Sequence, residues 1–169
     1  ARGELIAAMV LDAGKPVEQA DAEVSEAIDF CEYYGRSHLE HAALPSVKLR
    51  PRGVVLVTPP WNFPLAIPTS GVVAGLIAGN AVLLKPALET VLVADRLVDV
   101  GHRAGVPREA LQLVVCKDEL GSRLVSDSRV SAVVLTGATS TARLFHQLRP
   151  GIRLFAETGG KNAVIVTAA

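Results

Sequence analysis

The spacing of apolar residues divides the chain into a helical lead and a regular alternation of short strands and helices. Residues 4–39 read as helix, interrupted once at Gly14-Lys15-Pro16. In the second half of that stretch Val24, Ala27, Ile28, Cys31 and Tyr34 recur at helical spacing, which predicts a core-facing stripe with Cys31 as a small buried member. Asp21, Glu23 and Glu26 lie near its start, where the helix dipole favours negative charge. Further on, apolar runs predict strands at 54–57, 81–84, 111–115, 132–135, 154–157 and 162–166. Helical segments fall between them near 91–104, 118–127 and 139–148, the first stopped by Gly105 with Pro107 beyond it. Strand–helix–strand repetition with short connections predicts an α/β fold with a parallel, doubly wound sheet.

One run needs a decision. Residues 53–84 carry no charge, and 65–84 alone is long enough to cross a bilayer. Gly71, Gly75 and Gly79 even repeat at the spacing of paired membrane helices. Pro68, Thr69 and Ser70 interrupt its start, however, and Gly79-Asn80 is a turn signal. The run therefore reads as a buried helix followed by a buried strand, with the glycines letting the helix lie close on the sheet. No transmembrane segment is expected.

Before that run stands Thr58-Pro59-Pro60-Trp61-Asn62-Phe63-Pro64. Its three prolines fix φ at three points and remove three donors, so neither helix nor central strand can pass through it. A stiff loop at the end of a buried strand is where open α/β folds place ligands. This one would aim a single polar side chain, Asn62, between two bulky aromatics.

Composition narrows the function. The 169 residues suffice for one domain with its own core, 50% hydrophobic and 20% charged. Seventeen basic and seventeen acidic residues balance, with no block of like charge, so nothing favours a nucleic-acid partner. The two cysteines form no CxxC and the four histidines show no metal-ligand spacing, which points to reduced thiols in a cytoplasmic protein and to no metal site. The chain opens without a signal peptide, and both its ends read as cut from a longer protein.

Neither GxGxxG nor GxxxxGK[ST] occurs. The nearest substitute is Leu135-Thr136-Gly137-Ala138-Thr139-Ser140-Thr141-Ala142, where backbone N–H groups at a helix start could face a pyrophosphate. Thr and Ser at a helix start are more often plain N-caps. Lys85, followed by Pro86, ends a strand and points toward a ligand crevice. Glu157 ends another, in Ala156-Glu157-Thr158-Gly159-Gly160-Lys161. A carboxylate there could be a general base or a surface carboxylate at a turn.

In this order and spacing the Pro-Trp-Asn-Phe-Pro loop, Gly79-Asn80, Lys85-Pro86-Ala87, Thr136-Gly137 and Glu157-Thr158-Gly159-Gly160-Lys161-Asn162 resemble the aldehyde dehydrogenase superfamily over essentially the whole chain. The resemblance implies a partial aldehyde dehydrogenase fold: an N-terminal helical segment over 1–50 and a Rossmann-like NAD-binding domain over 51–169, ending before the catalytic domain. It implies that Asn62 donates to the oxyanion of the tetrahedral intermediate and that Glu157 activates the water that hydrolyses the thioester. Lys85 would bond the adenosine ribose of NAD and Trp61 would line the same cleft. Gly137 and Ala138 would lie under the pyrophosphate, and Thr158 would also border the cofactor. Three departures from the family pattern stand out. Ala138 stands where a serine often bonds phosphate. Ser140 and Ala142 replace a Glu and a Gly. In Lys85-Pro86-Ala87-Leu88-Glu89 the ribose carboxylate is lost or displaced by one residue. The family's nucleophilic cysteine falls beyond this chain, and neither Cys31 nor Cys116 occupies its place.

The segment Ala22-Glu23-Val24-Ser25-Glu26-Ala27-Ile28-Asp29-Phe30 with Tyr33-Tyr34, and the Thr158 variant of the glutamate motif, resemble the branch oxidising L-glutamate γ-semialdehyde (1-pyrroline-5-carboxylate) to L-glutamate in proline catabolism. That branch implies an aldehyde substrate, a homo-oligomer and, in its bifunctional members, covalent linkage to a proline dehydrogenase domain. Two other readings stay open: a CoA-acylating aldehyde dehydrogenase, against which Glu157 argues, and a non-catalytic domain of the same fold.

Overall fold

The computed structural model describes residues 1–160 and 162–167, so Lys161 of the glutamate motif lies outside the described residues. The helical lead is a hairpin of α1 (Arg2–Ala13) and α2 (Val17–Ala42). Gly14 closes α1 at φ 63°, in the left-handed region where glycine meets no Cβ penalty, and Pro16 stands ahead of α2. Then follow β1 (Val54–Thr58), α3 (Ala66–Ile77), β2 (Ala81–Leu84), α4 (Val91–Arg103), β3 (Leu111–Leu113), α5 (Asp118–Ser126), β4 (Val130–Gly137), α6 (Thr139–Leu148) and β5 (Arg153–Thr158). The charge-free run divides into α3 and β2, as the Gly79-Asn80 signal predicts. Among the described residues no helix is long and apolar enough to cross a membrane.

All five strands are parallel, in the order β3-β2-β1-β4-β5. Alternate residues of β1 serve opposite faces. Val55 and Val57 join Val72, Val82, Leu84, Ala94 and Val98 in a core under α3 and α4. Leu56 joins Val125, Val133, Leu135 and Phe145 under α5 and α6. The sheet is thus doubly wound, and α3 lies close on it. A Cβ at Gly71 would meet Val57 Cγ1 at 2.8 Å, and one at Gly75 would meet Val82 Cγ2 at 2.7 Å.

The helical lead covers the outer side of α3 and α4 rather than standing apart. Leu5, Ala8, Met9, Ala20, Val24 and Ala27 form one cluster with Leu65 and Val93. Two carboxylates fasten it. Asp12 Oδ2 accepts the N–H groups of Leu92 (2.8 Å) and Val93 (3.2 Å) at the start of α4. Glu23 Oε1 accepts those of Leu65 (2.8 Å) and Ala66 (3.0 Å) at the start of α3. Glu23 therefore serves a neighbouring helix rather than the dipole of its own.

Three expectations fail. Cys31 is exposed, not core, because the apolar face of α2 leaves the cluster after Ala27; Ile28 and Tyr33 are exposed as well. Burial of part of its surface and the neighbouring Glu32 push its thiol pKa up, the opposite of activation. The strand expected over 162–166 does not form: β5 is the last strand of the order, and Val164, Ile165 and Val166 are 86–88% exposed. β-propensity without a pairing partner is too weak to make a strand. The third strand is shorter than 111–115, although Val114 N–H still donates to the Leu84 carbonyl at 2.8 Å. Cys116 is a buried free thiol.

Candidate active-site cleft

A cavity of about 650 Å³ opens at the carboxyl edge of the sheet, within the size range of small-molecule sites. Its floor is the end of β1 and β4, Thr58 and Leu135-Thr136-Gly137. The strand order reverses between these two strands, the crevice where open α/β sheets take ligands. Thr58 Oγ1 donates across that junction to the Val134 carbonyl at 3.2 Å, holding the crevice walls together.

One wall is the proline-rich loop, with Trp61 and Asn62 lining the cavity. Trp61 is 57% exposed, a large aromatic left uncovered at the mouth. The opposite wall brings in Lys85, whose side chain is only 13% exposed. Its nearest carboxylate, Asp118, stands 3.8 Å away and is fully exposed, so the ion pair is long and solvent-screened. Room for the lysine comes from Gly121 on α5, where a Cβ would sit 2.8 Å from Lys85 Cε. Glu89 also lines the cavity. It stands one residue later than the family pattern places a carboxylate.

The third wall is the start of α6, with Gly137, Ala138 and Thr141. The plain N-cap reading of this segment does not hold. Ala138 occupies the cap position, and no side chain among the described residues caps the helix. Its first N–H groups are thus not taken by a capping side chain, the condition under which a helix start binds an anion.

Glu157 and Thr158 do not line the cavity. They end β5 in register with Thr136 and Gly137 of β4, one strand aside from the floor. Glu157 is exposed and pairs with no basic side chain among the described residues. It alternates with Leu154, which packs into the α5–α6 core, and so stands on the opposite face. Gly159 then turns the chain at φ 72°.

Lys15, Glu23 and Gly121 were not singled out by their chemistry in the sequence. Glu23 carried a usable signal, since it shares the helical face of Ala20, Val24 and Ala27, where a carboxylate is out of place without a partner. Gly121 carried none, because its neighbour Lys85 is distant in sequence. A second depression of about 610 Å³ lies between α4 and β3, lined by Asp95, Arg96, Asp99 and Arg108. Its charges are of both signs and it lies away from the strand reversal, so the cleft at β1 and β4 is the stronger candidate.

A parallel 3-2-1-4-5 order with a crevice at the reversal defines a doubly wound α/β protein of Rossmann type. The chain belongs to the aldehyde dehydrogenase family, whose model matches residues 1–169. It is 44% identical over 173 residues to the bifunctional protein PutA of Escherichia coli, covering 96% of this chain and 13% of that protein. It is 40% identical over 182 residues to the 1-pyrroline-5-carboxylate dehydrogenase of Bacillus pumilus, covering 96% of this chain and 35% of that one. The solved structure of proline utilization A from Corynebacterium freiburgense superposes with a TM-score of 0.90 at 42% identity, over 95% of this chain and 17% of that one. The chain thus spans well under half the length of these relatives.

Proposed function

We propose that this chain is the NAD-binding portion of an aldehyde dehydrogenase that oxidises L-glutamate γ-semialdehyde to L-glutamate. The names of its relatives support the substrate, and the convergence of three elements on one cleft supports the cofactor. That convergence carries the reading: the proline-rich loop, Lys85 and the uncapped start of α6 line a single cavity at the strand reversal.

The residues fit a dinucleotide. Lys85 offers an ammonium with a distant, exposed counter-ion, suited to a ribose hydroxyl. The main chain at Gly137 and Ala138 offers donors to a pyrophosphate, with no serine hydroxyl at Ala138 to add to them. Trp61 offers an apolar face at the mouth, and Thr158, paired with Gly137 one strand aside from the floor, offers a hydroxyl. NAD, when bound, supplies the hydride acceptor. Asn62 lines the cleft, and its amide donates to the aldehyde oxygen as that oxygen gains negative charge; a donor fixed by prolines needs no reorganisation at that moment. Glu157, exposed at its strand end, takes a proton from the water that releases the acid. The nucleophile comes from a cysteine elsewhere in a longer polypeptide, which in the bifunctional form also carries a proline dehydrogenase domain. A cytoplasmic homo-oligomer is the expected setting.

The test uses the full-length enzyme. Asn62→Ala should lower kcat for semialdehyde oxidation on the order of 10²–10³-fold while calorimetric NAD affinity stays near wild type. An unchanged kcat would remove Asn62 from the chemistry.

A further inference from the structure

Prolines alone do not hold the Pro-Trp-Asn-Phe-Pro loop in place. Lys15, at the break between α1 and α2, donates from Nζ to the main-chain carbonyl of Asn62 at 3.1 Å. The same ammonium lies 4.1 Å from the centroid of the Phe63 ring, within cation–π range. Its counter-ion is Glu23. The two side chains are 10% and 1% exposed, so the pair is out of water. The other Glu23 oxygen takes the N–H groups of Leu65 and Ala66. One buried pair therefore grips Asn62, Phe63, Leu65 and Ala66, and the residue between them, Pro64, has no N–H to offer.

Docking of the helical hairpin would not require this arrangement. Asp12 docks the same hairpin on α4 by capping, without any contact to the loop. A single charged residue bonded to the carbonyl of Asn62 itself is a different matter, because that carbonyl is on the peptide plane that fixes where the asparagine side chain starts.

We propose that Lys15 and Glu23 are positioning residues for Asn62: they fix the main chain that carries its amide, so that the amide is aimed before substrate arrives. The proposal rests on the oxyanion role proposed above for Asn62. A helical segment far from the cleft in sequence thereby becomes part of the catalytic geometry, through Asn62 and not by touching substrate.

Removing one member of a buried ion pair strands the other, whereas replacing both is often close to neutral for stability. The informative variant is therefore the double substitution Lys15→Met with Glu23→Gln in the full-length enzyme. The amide introduced by Glu23→Gln keeps an oxygen for the start of α3, while the ammonium on Asn62 is gone. We expect a melting temperature and NAD affinity near wild type, with kcat lowered roughly 10- to 100-fold, the scale of a small misplacement of a reacting group. In an Asn62→Ala background the double substitution should cost nothing further in kcat, since both changes act through one amide. A pair that serves only stability would lower the melting temperature and would leave the two effects additive.

Wild-type kcat in the folded double variant, or additivity with Asn62→Ala, overturns the proposal while leaving the oxyanion role intact. An Asn62→Ala enzyme with full kcat overturns both. Should the double variant not fold, Phe63→Leu removes the ring beneath the ammonium and touches neither charge. It should lower kcat about threefold, the scale of a cation–π contact on a ring that is itself 41% exposed, and an unchanged kcat there counts against the proposal in the same way.

Discussion

Gly121 shows how a residue without a side chain can shape a site. Its α-carbon faces Lys85, and a methyl group there would sit 2.8 Å from Lys85 Cε. The lysine end is flexible and would swing aside at little cost, while alanine is the better helix former by about 1 kcal/mol. Gly121→Ala should therefore leave urea stability unchanged or slightly higher. It should also weaken NAD binding roughly tenfold, the worth of one charge-assisted hydrogen bond. Calorimetry on the full-length enzyme reads the affinity; an unaltered Kd would mean that the position of Lys85 does not matter to the cofactor. At this scale the sequence was legible where chemistry is unusual for its surroundings. Asn62 stood out between aromatics and prolines, and Lys85 at the end of an apolar run. Cys31 misled, since a stripe of apolar residues gives spacing but not the point at which the helix leaves its neighbours. Lys15 stayed hidden because the Asn62 carbonyl it holds lies 47 residues away.

Helix α3 depends on closeness. Its glycines do what their spacing suggested: Gly71 and Gly75 let the helix backbone approach β1 and β2 until no Cβ fits. Val82 is fully buried and has nowhere to go. Gly75→Ala should cost about 1–3 kcal/mol by overpacking, reduced in part by the better helix propensity of alanine. Denaturant titration would show a lower midpoint at an unchanged slope. A variant as stable as wild type would mean that α3 has slack over β2. Element boundaries were largely legible because Gly14, Gly79 and Gly105 punctuate the apolar pattern and strands buried on both faces are plainly apolar. The stretch 162–166 has the same apolar text and no strand, since its pairing partner is not a property of the segment. The start of α6 was misjudged for a related reason: Thr139 and Ser140 look like caps, but Ala138 takes the cap position.

Taken whole, the molecule is a parallel sheet whose strand order reverses between β1 and β4, with a helical hairpin clamped over α3 and α4 by Asp12 and Glu23. The hairpin does not line the cleft, yet through Lys15 it reaches the loop that does. Each wall of the cleft comes from a different strand end, so no contiguous motif in the sequence describes it; only the sheet brings the loop, Lys85 and α6 together. We propose above that this cleft is the NAD site facing Asn62. A crystal structure of the full-length protein grown with NAD tests it most directly. The cofactor should lie across the β1–β4 reversal, its pyrophosphate at the first turn of α6 and a ribose hydroxyl within hydrogen-bonding distance of Lys85 Nζ. Cofactor bound instead in the depression between α4 and β3, or no binding at saturating NAD, would contradict the account.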